Sequence, residues 1–136
     1  MSRYTKPLRW LLAAIIFFMI ATANQANASQ ATTNQTNTTQ TIEERTAVKK
    51  AVQQGLGQSP LFKINKVAVA SDYALVSWLQ GEAGGVALLN KKSGVWKILT
   101  NSGGWLGLGD LKKFGVPQTV AEMLLTQIDP KWRNYE

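Results

Sequence analysis

Residues 64–100 read INKVAVASDYALVSWLQGEAGGVALLNKKSGVWKILT, and this stretch decides the fold. Val, Ile, Ala, Leu and Trp recur in four short runs, near Ile64–Ala70, Tyr73–Gln80, Gly85–Asn90 and Val95–Thr100, at the spacing of an antiparallel meander. Ser71-Asp72 reads as a tight connection and Gly81 to Gly84 as a looser one, while Lys91-Lys92-Ser93-Gly94 fits a type I turn with a left-handed glycine. Three hairpins in succession make four strands. Alternation puts Val67, Val69, Ala74, Val76, Trp78, Ala87, Leu89, Trp96 and Ile98 on one face, enough to cover a helix. The other face carries Leu75, Leu79, Val86, Leu88 and Leu99 beside Lys66 and Lys97, and those leucines need a cover of their own.

Both flanks supply helices. Upstream, Thr41-Ile42-Glu43-Glu44 has the spacing of a capping box. Val48, Ala51, Val52 and Gly55 follow at helical spacing, so Lys49, Lys50 and Gln53 face water and the helix ends near Gly55 or Gly57. Downstream, Leu106, Leu108, Leu111 and Phe114 predict a short helix stopped by Gly115, and Pro117 opens another that runs to about Ile128. The fold class is therefore α+β: an N-terminal helix packed on a four-stranded antiparallel meander, with one or two C-terminal helices closing the other side or end. Cystatin-like and NTF2-like folds share that order and host inhibitors, binding modules and enzymes alike, so the order alone selects no function.

Ahead of this domain, residues 1–28 read as an export signal. Arg3, Lys6 and Arg9 form a basic start, Trp10 to Ile20 an apolar core, and Ala21-Thr22-Ala23 and Ala26-Asn27-Ala28 both suit signal peptidase. The apolar run stops near Ala23, short of the roughly 20 residues of a spanning helix, so no membrane span is expected after cleavage. Residues 29–40 are Asn-, Gln- and Thr-rich and bury too little to order themselves, which makes them a disordered tether before a single domain at 41–136.

The full chain has 15 Lys and Arg against 8 Asp and Glu; losing Arg3, Lys6 and Arg9 leaves 12 against 8, a net +4 in place of +7. The remaining charge is scattered as Lys49-Lys50, Lys91-Lys92 and Lys112-Lys113, without the clustering that phosphate backbones require, so nucleic acid is not an expected partner. Cysteine and histidine are both absent. That excludes disulfides, cysteine nucleophiles, Ser-His-Asp triads and zinc sites of the usual ligands, and no metal or cofactor is expected.

Few residues are left to carry function. Gly103-Gly104-Trp105-Leu106-Gly107-Leu108-Gly109-Asp110 lacks both the Gly-Lys-Ser/Thr ending of a phosphate loop and the parallel context of a dinucleotide fingerprint, so it reads as a strand-to-helix connection. Asp72 and Asp110 read as turn and capping residues, and no two carboxylates have spacing that argues for acid–base work. Glu82, in the glycine-flanked turn, is the charged candidate for binding. Trp105 in its loop, and Trp132 further on, are candidate exposed recognition residues, whereas Trp78 and Trp96 belong to the core.

Tyr73-Ala74, Trp78, Gly81-Glu82, Gly84-Gly85, Ala87-Leu88-Leu89, Gly94 with Trp96, Gly103, Leu106 and Gly115-Val116-Pro117 resemble a family of small exported bacterial proteins labelled copper-uptake-system-associated. The resemblance implies an exported α+β domain with an envelope role. The chain departs from the family at Val86, where relatives often carry Arg, and at Thr100-Asn101-Ser102, where they often carry Cys, so copper binding is not carried over. The leading expectation is a non-enzymatic accessory or binding protein of the bacterial envelope, periplasmic or secreted, with an envelope protein or small ligand as partner. The alternative is a small hydrolase or lyase using Asp or Glu in a pocket of an NTF2-like fold, which needs a carboxylate of raised pKa there. A dimer through the leucine-bearing face is a third expectation.

Overall fold

The computed structural model describes Thr39 and residues 41–136. The expected export signal, and the tether apart from Thr39, lie outside the described residues. Residues 41–56 are helical (α1), followed by β1 Phe62–Ala70, β2 Tyr73–Gln80, β3 Ala83–Lys92 and β4 Val95–Ser102. The helices α2 Leu108–Lys113 and α3 Gln118–Ile128 come next, then a 3-10 turn at Trp132–Tyr135. The strands form one antiparallel sheet in the order β1-β2-β3-β4, with β1 and β4 at its edges.

Each face of the sheet has its own core. On α1, Val48 and Val52 are fully buried and point at Ala74, Val76, Ala87, Leu89 and Trp96. This is the strand face read from alternation, and each fully buried Val or Leu contributes on the order of 2 kcal/mol to such a layer. The opposite face places Leu75, Val86 and Leu88 under Leu111, Leu124, Leu125, Ile128 and Trp132. The C-terminal helices thus cover the second face rather than an end. Leu79 and Leu99 stay 47% and 38% exposed, at the margin of that cover.

The first hairpin closes through Ser71-Asp72 as its sequence suggests, and the other two are tighter than theirs. Gln80 pairs with Ala83, so the connection is the two residues Gly81-Glu82, with Gly81 at φ 63° in the pattern of a type II′ turn. Lys91 and Lys92 are strand residues, and the third loop is Ser93-Gly94, both at positive φ (50° and 75°), a type I′ turn rather than type I. The primed turns match the right-handed twist of the strands they join, which unprimed turns would splay.

A belt of side chains crosses all four strands on the α1 face. Phe62 of β1 stacks on Trp78 of β2 with centroids 5.7 Å apart. The Trp78 ring lies against Gly85 of β3 and donates its Nε1–H to Asn101 Oδ1 of β4 at 2.7 Å.

Glu44 does not close a capping box. Thr39 is already helical, and the Glu44 carboxylate instead reaches the sheet, accepting from the Lys91 ammonium and from Trp96 Nε1 at 2.9 Å. A donor pair on β3 and β4 fixes this carboxylate as a clamp between α1 and the far side of the sheet. The Lys91 ammonium holds the Glu44 carboxyl below its usual range against partial desolvation, with the Trp96 N–H adding to the effect. Asp110, through the Gly107 N–H, and Asp129, through the Lys131 N–H, are held in the same direction.

A carboxyl whose folded pKa is depressed adds stability above its unfolded pKa and loses it as the pH falls through the folded value. The urea midpoint should therefore be flat from about pH 5 to 7, where no His or Cys titrates, and decline below about pH 4. Glu44→Gln should lower the neutral plateau and shallow the acid decline; an unchanged decline would mean that the clamp contributes nothing to acid sensitivity.

Candidate functional site

Among the described residues, a groove of about 410 Å³ opens along the outer edge of β1 between α1 and α3. Arg45 and Lys49 line it from α1, one helical turn apart on the exposed flank. Ile64 and Val67 give it an apolar floor, Asn65 and Lys66 are the adjoining polar residues of β1, and Gln127 closes one end from α3. The lining holds three cations and no carboxylate.

Each position has a local cause. Between Ile64 and Lys66 the register with β2 shifts, leaving Asn65 as the extra residue of a bulge that bends the edge. Lys66 faces the α3 side, where its ammonium donates to Ile128 O at 2.8 Å, a cation on the open carbonyls of a helix end. Asp129 is the carboxylate that feels Lys66, but its oxygens accept from Lys131 N and from the Tyr135 hydroxyl. No ion pair joins Arg45 or Lys49 to a carboxylate among the described residues. Like charges at i and i+4 on a helix cost a few tenths of a kcal/mol, so this pair is held at a small expense in stability.

Gln127 acts on the strand edge as a neighbouring strand would. Its Nε2 donates to Val69 O at 3.2 Å, and Val69 N donates to its Oε1 at 3.4 Å. The Arg45 guanidinium reaches the same Oε1 at 3.5 Å. Both backbone groups of Val69 therefore point away from β2 and are occupied. The register is unbroken from Lys66 to Ala70, so Val67, two residues back, turns its N–H and C=O the same way, with no strand beyond it among the described residues.

The residues singled out from sequence lie elsewhere. Glu82 is exposed in the two-residue β2–β3 turn, and no hydrogen bond, ion pair or ring contact joins it to Trp105 among the described residues. Trp105 is half-buried against the α2–α3 core, edge-on to Tyr135 with centroids 5.6 Å apart. Its indole Nε1 is enclosed without a hydrogen-bond partner among the described residues. Trp132 is a correction: it is 2% exposed, donates to Thr126 Oγ1 at 3.0 Å, and carries the Arg133 guanidinium 4.4 Å above its ring. It is core rather than a recognition surface, because the chain after α3 folds back under the helix.

Asp72 and Glu82 are exposed, and Asp110 caps α2 by accepting from Gly107 N at 3.2 Å. The carboxylate-enzyme reading thus finds no carboxylate in the described lining of the groove. No group of three or more His, Cys, Asp or Glu gathers among the described residues, and none of their helices is long and apolar enough to cross a membrane. The groove itself was missed in the sequence, since its parts come from α1, β1 and α3; the sole local signal was Arg45 and Lys49 at i and i+4 without an acidic partner. Searches of family models, of curated proteins and of solved structures found no match to this chain.

Proposed function

We propose that this protein is an exported, non-enzymatic binding domain of the bacterial envelope, whose β1-edge groove holds an anionic ligand or partner segment. One observation carries the reading: three cations and no carboxylate stand in the described lining of a groove with an apolar floor, and two of them, Arg45 and Lys49, have no ion-pair partner among the described residues. Export is supported by the basic, apolar and small-residue order of residues 1–28, and an envelope role by the family resemblance over Tyr73 to Pro117.

The test is fluorescence polarisation of the full-length chain with fluorescein-labelled hexaglutamate. Arg45→Glu with Lys49→Glu should weaken binding at least about tenfold, because the pair turns from attracting to repelling the probe. Raising the salt toward about 1 M should weaken the wild type as the screening length shrinks to about 3 Å. Equal binding by wild type and double variant would remove the groove as the site.

A second reading places partner contact at Glu82, exposed in the β2–β3 turn, and at the half-buried ring of Trp105. Under that reading a crosslinked envelope partner is lost on Glu82→Gln or Trp105→Phe and survives the Arg45/Lys49 variant.

A further inference from the structure

The groove is more than a cluster of cations, because its floor is the open edge of a sheet. At Val69 the edge is stoppered by the Gln127 amide, and at Asn65 the bulge interrupts it. Between the two, Val67 directs its N–H and C=O outward into the groove, where neither has a partner among the described residues. A bare anion leaves the carbonyl unused, whereas a peptide backbone pairs with both the N–H and the C=O.

We infer that the occupant is a short, extended acidic peptide segment that adds to β1 as a partial fifth strand at Val67. This rests on the groove being the binding site. Val67 lies on the α1 face of the sheet, in the core that Val48 and Val52 build. A residue paired with Val67 turns its side chain to that same face, which is the side from which Arg45 and Lys49 line the groove. The next residue turns to the α3 side, where Lys66 is bonded to Ile128 O and Asp129 stands near. Specificity therefore alternates: acidic at every second position, neutral between. A second copy of this chain is a poor occupant, since edge-to-edge pairing would bring two sets of Arg45, Lys49 and Lys66 together.

The experiment compares three fluorescein-labelled peptides of alternating Thr and Glu on the full-length chain: unmodified, N-methylated at every Glu, and N-methylated at every Thr. Only one set of amides in a strand faces its neighbour, so one methylated peptide should lose at least tenfold and the other keep most of the affinity. The unmodified peptide should also bind more tightly than hexaglutamate, and Arg45→Glu with Lys49→Glu should weaken it. Equal binding of both methylated peptides, or hexaglutamate binding as tightly as the alternating peptide, overturns strand addition and leaves the groove as an anion site. No binding of any acidic probe, or binding indifferent to the Arg45/Lys49 variant, overturns the groove as well.

Discussion

Gly85→Ala is expected to cost the domain about 3 kcal/mol, the upper part of the range for forcing an extra carbon into a filled site. A Cβ at this position would lie 2.0 Å from the backbone oxygen of Ser102 and 2.6 Å from Cζ2 of Trp78. The first contact is with backbone held in the β3–β4 ladder, and the second with a ring fixed by Phe62 and Asn101, so neither neighbour moves freely. Gly109→Ala is the control: it sits within α2 with nothing within 4 Å, and should stabilise by up to about 1 kcal/mol as a better helix former. Urea midpoints of the two variants should move in opposite directions. A change below about 0.5 kcal/mol at Gly85 would show that the cross-strand belt tolerates a gap between β3 and β4.

Trp132→Ala should remove about 4 kcal/mol, as for other large buried aromatics. The indole is 2% exposed under α3, and its Nε1–H donates to the Thr126 hydroxyl, which in turn donates to Glu122 O. For a domain of this size each kcal/mol moves the midpoint by roughly 4–8 °C, so Tm should fall by at least about 15 °C. Trp132→Phe keeps most of the buried area and should lose about a third as much. A fall of only about 3 °C for the alanine variant would mean that the segment beyond Ile128 lies on the surface without supporting the sheet.

The sheet was legible because period-two alternation records which face each residue takes, and Val76, Ala87 and Leu89 carry that record without a break. Helix α1 was legible for a similar reason, through Val48 and Val52. What failed was local chemistry redirected by distant partners. Glu44 has capping-box spacing, but Lys91 and Trp96 compete for its carboxylate, and they lie across the sheet. Trp132 looks exposed near a polar run until α3 provides a surface to fold under. Gly85 reads as a strand residue, which it is, but nothing local shows that its missing side chain makes room for Trp78 of the neighbouring strand. The groove was least legible, because Arg45, Val67 and Gln127 are far apart in the chain and none is unusual where it stands.

The meander order has a consequence for how the chain assembles. Every strand pairs with its sequence neighbour, so the sheet grows by successive hairpins, whose closure takes on the order of microseconds each. The helices are the exceptions, since Glu44 of α1 reaches Trp96 across 52 positions and Ile128 of α3 reaches Lys66 across 62, and their docking is slow and non-local. In a chain emerging N-terminus first, the sheet and α1 are complete while Leu75 and Leu88 still face solvent. The newborn domain therefore passes through a one-sided stage with its second face bare, and its vulnerability to wrong association ends when the final segment comes home.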